Sequence, residues 1–165
     1  MHYLIDGHNL IGQMADIDLA DPDDEVKLIQ RMRSWSARGR KRKVTIYFDH
    51  GLLGGMDRGL SSGPVKVIFA PSGRTADALL INRIRRVKNA AEYTLVSSDR
   101  SVIAAAENCR MDFWRSEEFA RRMDQERDQN KQDSADDHLQ DLAMNEDEFE
   151  MWLKMFTEED EDMSR

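Results

Sequence analysis

Cysteine and long apolar runs are the features that this sequence of 165 residues most clearly lacks. Its one cysteine, Cys109, excludes a disulfide within the chain and a zinc site built from several cysteines. No stretch approaches the roughly 20 apolar residues of a membrane-spanning helix, so no membrane partner is expected. The first residues also lack the basic segment and apolar core of a secretory signal peptide. A cytoplasmic location is therefore the expectation.

Negative charge is distributed unevenly within the formal net charge of -8. Residues 1–123 contain 20 Lys+Arg and 16 Asp+Glu, a net of +4, whereas residues 124–165 contain 4 and 16, a net of -12. The basic body suits a polyanionic partner, although an ordinary solvated surface explains the charge equally well. For the acidic tail three roles remain open: occupying the basic groove of its own chain, binding a basic partner, or keeping the protein in solution.

Apolar strands alternate with amphipathic helices over the first three quarters of the chain. Strands are predicted at residues 3–6, 44–49, 65–70, 93–97 and 111–114, and helices at 22–39, 75–87, 101–107 and from 116 onwards. Because each strand is almost entirely apolar, the pattern indicates a mainly parallel sheet with helices on both faces. The expected fold class is α/β.

Composition divides the chain into three segments. Residues 1–123 form the α/β domain, and residues 124–145 form an acidic linker with few apolar residues, expected to be disordered or loosely helical. Residues 146–165 are expected to form an amphipathic helix followed by an acidic end. The apolar face around Trp152 either packs on the body or docks to a partner.

Four carboxylates come directly after predicted strands. Asp6 and Asp49 end the first two strands, Asp77 opens the helix after the third, and Asp99 follows the fourth. The carboxyl ends of parallel strands lie at one edge of a sheet, so the four side chains can meet in one cleft. Oxygen-only ligand sets favour Mg²⁺ or Mn²⁺, which can activate water against a phosphate ester. Helix capping explains Asp77 and Asp99, taken singly, at least as well.

The segment Tyr3-Leu4-Ile5-Asp6-Gly7-His8-Asn9-Leu10-Ile11 resembles the opening of NYN domains in the PIN-like nuclease superfamily, and of the YacP-like family in particular. Further similar segments follow in order: Asp49, Thr75-Ala76-Asp77, Val96-Ser97-Ser98-Asp99-Arg100, Ser116-Glu117-Glu118-Phe119 and Trp152-Leu153-Lys154-Met155-Phe156. The resemblance implies a Rossmann-like PIN/NYN fold and a divalent-metal-dependent endoribonuclease, which is a hydrolase. For the YacP-like branch it also implies cleavage of mRNA in association with the ribosome.

The same resemblance implies roles for individual residues. Asp6, Asp77 and Asp99 match the metal-binding, catalytic acids that would hold Mg²⁺ or Mn²⁺. Asn9 matches the polar residue that orients water or phosphate. Asp49 is either a fourth ligand or a neighbour that supports the other acids, and Ser98 is a helper for phosphate or metal.

Basic residues become candidate RNA contacts once the family resemblance is considered. They are Arg40, Lys41, Arg42, Lys43, Arg74, Arg83, Arg86 and Arg100. The first four lie where a helix ends, so favourable interaction with the helix dipole explains them equally well. Two other functions stay open: a catalytically silent RNA- or ribosome-binding module, and a phosphohydrolase that acts on small molecules.

Overall fold

The computed structural model describes residues 1–39, 41–49 and 55–142, with side chains at all of them except 55, 56 and 133–142. Its strands are β1 (His2–Asp6), β2 (Lys43–Phe48), β3 (Gly55–Met56), β4 (Val65–Phe69), β5 (Tyr93–Val96) and β6 (Asp112–Trp114). They form one sheet in the order β3-β4-β2-β1-β5-β6. All neighbouring pairs are parallel except β3 with β4, which pair antiparallel. The predicted mainly parallel sheet is confirmed.

Helices cover both faces of this sheet. They are α1 (Gly7–Ile11), α2 (Asp24–Arg38), α3 (Ala76–Arg86), α4 (Arg100–Asn108) and α5 (Ser116–Leu142), and a short 3-10 helix spans Ala90–Glu92. One apolar core joins the sheet to α1, α2 and the first turns of α5, and a second joins it to α3 and α4. The α/β fold class with helices on both faces is therefore confirmed.

The chain separates into two compact units, residues 1–123 and residues 124–165. Helix α5 begins in the first unit and continues to Leu142, so the acidic linker is helical as far as that residue. Residues 143–165, which include Trp152 and the predicted C-terminal helix, lie outside the described residues. Among the helices that are described, none combines the length and the apolar character needed to cross a bilayer.

Strand register brings the predicted carboxylates to one edge of the sheet. Asp6 pairs with Tyr47 of β2, two residues before Asp49. Ile5 pairs with Val96, so Ser97 lies level with Asp6 on the other side. Since α3 and α4 begin at this same edge, their first turns can contribute Asp77 and Asp99 to it.

Gly7 allows the chain to turn from β1 into α1 directly against the core. A Cβ atom at this position would lie 2.2 Å from Cε1 of Phe48, whose side chain is fully buried. The Phe48 ring also stacks on Phe69 with 5.5 Å between ring centroids, so it has little freedom to retreat. We expect Gly7→Ala to lower the free energy of unfolding by about 1–3 kcal/mol, measured by urea denaturation.

Gly12 offers a matched control for this substitution. A Cβ atom there would meet Cδ1 of Leu19 at 3.4 Å, and Leu19 is an exposed side chain that can move aside. Gly12→Ala should therefore change stability by less than about 0.5 kcal/mol. Equal losses for the two variants would show that contact with Phe48 is not what requires glycine at position 7.

Candidate active site

Asp6 lies buried at the end of β1, where two hydrogen bonds orient its carboxyl group. Oδ1 accepts from the backbone N–H of Asn9 at 3.4 Å, and Oδ2 accepts from the hydroxyl of Ser97 at 3.1 Å. The Ser97 oxygen in turn accepts from the backbone N–H of Asp99 at 3.1 Å. The buried hydroxyl of Ser97 thus connects the carboxyl group of Asp6 to the backbone of Asp99.

Ser97 was not predicted as a site residue. It follows a run of apolar strand residues and looked like the end of a buried strand, yet its side chain is fully buried and polar. A buried serine level with Asp6 needs a hydrogen-bond partner for its hydroxyl. That need is the sequence signal that could have identified Ser97 as a site residue.

Asp77 lies in the first turn of α3 and hydrogen bonds to the carboxyl group of Asp6. Other residues satisfy the N-terminus of this helix. Thr75 Oγ1 accepts from the N–H of Ala78 at 3.2 Å, and Asp49 Oδ1 accepts from the N–H of Ala76 at 2.6 Å. The structure therefore assigns capping to Thr75 and Asp49, and Asp77 faces Asp6 instead.

The carboxyl groups of Asp6 and Asp77 do not readily ionise together. Burial, followed by the charge of Asp77, raises the pKa of Asp6 to about 7. Burial, followed by the charges of Asp99 and Asp49, raises the pKa of Asp77, against the opposing effect of the hydrogen bond from Asp6. The pair therefore holds a proton more readily than ordinary aspartates do, and a cation can replace that proton.

Asp99 caps helix α4. Its Oδ1 accepts from the N–H groups of Ser101 at 2.8 Å and Val102 at 3.1 Å, and also from the hydroxyl of Ser101. The hydrogen bond from that hydroxyl is the main reason that the pKa of Asp99 is below its usual range. Asp99 is nevertheless close enough for its charge to raise the pKa of Asp77. The capping bonds of Asp99 use Oδ1 alone.

Asn9 and Ser98 join the carboxylate edge to the start of α5. Asn9 Oδ1 accepts from the backbone N–H of Ser98 at 2.9 Å and from the hydroxyl of Ser116 at 2.7 Å. The Ser98 hydroxyl donates to Glu117 and accepts from the N–H of Ser116 at 2.9 Å. Asn9 therefore has its amide NH₂ to offer to water or phosphate. Ser98 uses its hydroxyl on α5, and its role as a helper for phosphate or metal stays a prediction.

Two of the predicted RNA contacts lie on the carboxylate edge. Arg74 is in the loop between β4 and α3, three residues before Asp77. Arg100 is the first residue of α4, directly after Asp99. Both are exposed, so either guanidinium can reach a phosphate that flanks the acids.

The remaining predicted contacts lie away from this edge. Arg83 and Arg86 are about 9 and 14 Å along α3 from Asp77 at the usual rise of 1.5 Å per residue. Lys41 and Arg42 precede β2 and Lys43 is its first residue, at the edge where the strands begin, and Arg40 is outside the described residues. The structure thus divides the basic residues between opposite edges of the sheet.

A different group of side chains forms the tightest set of metal-type ligands among the described residues. His8, Asp24 and Glu25 place their ligand atoms within 4.8 Å of one another, which Asp6, Asp77 and Asp99 do not. His8 Nε2 lies 3.2 Å from Glu25 Oε1, and Asp24 Oδ1 accepts from the N–H of Glu25 at 2.6 Å. These contacts explain why the three side chains lie close together without an ion, but the group is a second candidate location for a metal.

Comparisons with known proteins identify the family and the fold. The family model for the YacP-like NYN domain matches residues 3–157. The crystal structure of Rae1 (YacP) from Bacillus subtilis superposes with a TM-score of 0.69 at 22% sequence identity, covering 95% of this chain and 92% of that chain. A mutant of the same protein gives 0.63 at 20% identity, covering 79% of each chain. Curated proteins provide no match. At these identities the structures show a shared fold.

Proposed function

Because the chain belongs to the YacP-like NYN domain family, a family of nucleases, we propose that it is a divalent-metal-dependent endoribonuclease. The observation that carries the proposal is the hydrogen-bonded pair of Asp6 and Asp77 at the carboxyl edge of the sheet, with Asp99 in electrostatic range. Opposed carboxyl groups of this kind are stable as anions only when positive charge lies between them.

The donor set fits a hard cation. Asp6 and Asp77 offer carboxylate oxygens alone, which suits Mg²⁺ or Mn²⁺. Burial and the charge of Asp77 raise the pKa of Asp6 to about 7, and a cation that binds here would displace the proton that Asp6 then retains. Asp6 and Asp77 would hold the cation together with Asp99. Asp49 Oδ1 accepts from the first N–H of α3, which supports the helix that carries Asp77.

Four further residues orient the acids or bind the substrate for attack on phosphorus. When bound, the cation supplies positive charge to the scissile phosphate and increases the acidity of the attacking water. Ser97 orients Asp6 through its hydroxyl, and Asp49 fixes the helix that carries Asp77. Arg74 and Arg100 neutralise neighbouring phosphates. In-line attack by water would then leave a 5′-phosphate and a 3′-hydroxyl.

The family relationship supports RNA as the substrate class and ribosome-associated mRNA as its setting. The basic character of residues 1–123, which carry a net charge of +4, agrees with a polyanionic substrate. The division of basic residues between two edges suggests that a short RNA contacts Arg74 and Arg100, whereas a longer RNA is needed to reach Arg83 or Arg86.

Cleavage of a labelled single-stranded RNA by the full chain tests this proposal. We expect internal cuts with Mn²⁺ or Mg²⁺ and none with excess EDTA, and restored cutting when metal is returned. RNA binding without cleavage would contradict the proposal in favour of a silent binding module. Turnover of a phosphomonoester without RNA cleavage would contradict it in favour of a small-molecule phosphohydrolase.

A further inference from the structure

Basic side chains gather at the edge of the sheet opposite the acids, on the face that α3 covers. Strand register places Lys43 beside His2, and Lys66 beside Thr45. Thr45 in turn lies beside Leu4, which packs in the apolar core beneath α3. Residues that are paired in register, or that lie two apart on one strand, share a face of the sheet. Lys43 and Lys66 therefore lie on the α3 face, and both are exposed.

Arg83 adds a third exposed cation from α3. Its Nη2 atom donates a hydrogen bond to the hydroxyl of Tyr93 at 3.1 Å, and its Cζ atom lies 5.5 Å from the centroid of the same ring. The ring of His2 stacks on Tyr93 with 4.9 Å between centroids. Tyr93 therefore orients the guanidinium of Arg83 near His2. The three cations Lys43, Lys66 and Arg83 form what we call the amino-edge patch.

The positive charges of the amino-edge patch all lie within electrostatic range of one side chain. Burial, followed by the charges of the three cations with Arg83 first, lowers the pKa of His2 to about 4. His2 is therefore neutral at pH 7 and does not add to the charge of the patch. Within the part of the chain that the structure describes, none of the three cations forms an ion pair with an acidic side chain. An anion among them would relieve their mutual repulsion.

We propose that the amino-edge patch binds the phosphodiester backbone of an RNA strand at a distance from the bond that is cut, without selecting the base. The inference rests on the proposed function, because the same strand would also reach the carboxylate edge. His2 lies four residues before Asp6 on β1 and on the same face, about 13 Å away along the strand. Arg83 and Asp77 lie on one helix. A strand whose scissile phosphate lies at the acids carries further phosphates that can reach the patch.

The chemistry of the patch favours phosphates repeated along a strand. The guanidinium of Arg83 has N–H donors beyond the one used on Tyr93, and they match phosphate oxygens, whereas the two lysines supply point charges. The Tyr93 ring orients Arg83 and stacks on His2, so the patch offers charge and not a stacking surface for a base. An acidic peptide would meet the same charges, but it has no scissile phosphate to place at the acids on the same face.

Fluorescence anisotropy of labelled twelve-nucleotide oligo(U) and oligo(A), titrated with the full chain in EDTA at several salt concentrations, tests this inference without cleavage. Each phosphate contact with a single strand contributes a slope of about −0.7 to the plot of log K against log salt concentration. Arg83→Gln and Lys66→Gln should each make the slope shallower by about 0.7 and weaken binding about fivefold at about 0.1 M salt. The losses should be the same for both RNAs, because the patch does not contact the bases.

Arg85→Gln is the matched control for Arg83→Gln. Arg85 is also an exposed arginine of α3, but it lies two residues from Arg83 and so about 200° around the helix. Its substitution should leave the affinity and the salt slope close to those of the wild-type protein. Thermal unfolding of each variant confirms that the comparison is made between folded proteins.

The outcomes separate this inference from the proposed function. Equal losses in Arg83→Gln and Arg85→Gln, or losses confined to one of the two RNAs, would overturn the inference even in a protein that cuts RNA. Tighter binding of polyglutamate than of RNA, with the same dependence on Arg83 and Lys66, would overturn it in favour of an acidic protein partner. A protein that binds RNA through Arg83 and Lys66 but never cuts it would contradict the endoribonuclease and support the patch.

Discussion

Asp77→Asn should reduce RNA cleavage at least about 100-fold at a saturating concentration of Mn²⁺. The asparagine keeps the size of the side chain and can still hydrogen bond to Asp6. The substitution removes the negative charge that a cation needs opposite Asp6. It should leave the start of α3 intact, because Thr75 and Asp49, and not residue 77, accept the N–H groups there. The measurement is the single-turnover cleavage rate of a labelled RNA across a Mn²⁺ titration.

Glu107→Gln is the control for Asp77→Asn, because it neutralises an exposed carboxylate on α4 away from the strand ends. Its cleavage rate should match that of the wild-type protein. If Asp77→Asn cuts as fast as the wild-type protein, the Asp6–Asp77 pair is not the active site, and the silent-module and phosphohydrolase alternatives become the ones to test.

Asp6→Asn should make the metal-free protein more stable at pH 8. Folding raises the pKa of Asp6 from 3.8 to about 7, so the folded state favours the neutral carboxyl. The stability associated with that neutral form is fully present below about pH 4 and is lost as the pH rises through 7. A pKa difference of this size corresponds to at most about 4 kcal/mol, which the non-ionising asparagine should recover in part.

Urea denaturation in EDTA at several pH values measures this effect. The advantage of Asp6→Asn over the wild-type protein should grow from pH 5 to pH 8. Added Mn²⁺ should reverse the order at pH 8, because it stabilises only a protein that binds it. A stability difference that stays constant with pH would mean that ionisation of Asp6 is not the destabilising feature.

Most of the sheet could be predicted from local sequence patterns. Apolar runs such as those around Val44 and Val65 are long enough to identify buried strands, and the acids after them follow from parallel topology. Helix α1 was missed, since Gly7-His8-Asn9 looks like a turn. It exists because Asp6 caps it and because Gly7 lies against Phe48, and both are contacts of the folded protein.

Local sequence patterns could not predict the hydrogen bonds within the candidate site, for a similar reason. The hydrogen bond from Ser97 to Asp6 spans 91 positions in the sequence, and that from Ser116 to Asn9 spans 107. No motif records such pairings. The sequence alone also left Asp77 undecided between capping and catalysis, because the choice depends on the long-range bond from Asp49 to Ala76.

The placement of the basic residues shows the same limit. Arg74 and Arg83 lie only nine positions apart and both looked like RNA contacts. Only the direction of α3 shows that the first is beside the acids and the second points to the far edge of the sheet.

Anomalous X-ray scattering from a crystal soaked in Mn²⁺ tests the central claim most directly, since it locates the cation without any assay of activity. We predict an anomalous peak that oxygen atoms of Asp6 and Asp77 coordinate, with Asp99 as a further ligand. A peak at His8, Asp24 and Glu25, with none between Asp6 and Asp77, would contradict the claim.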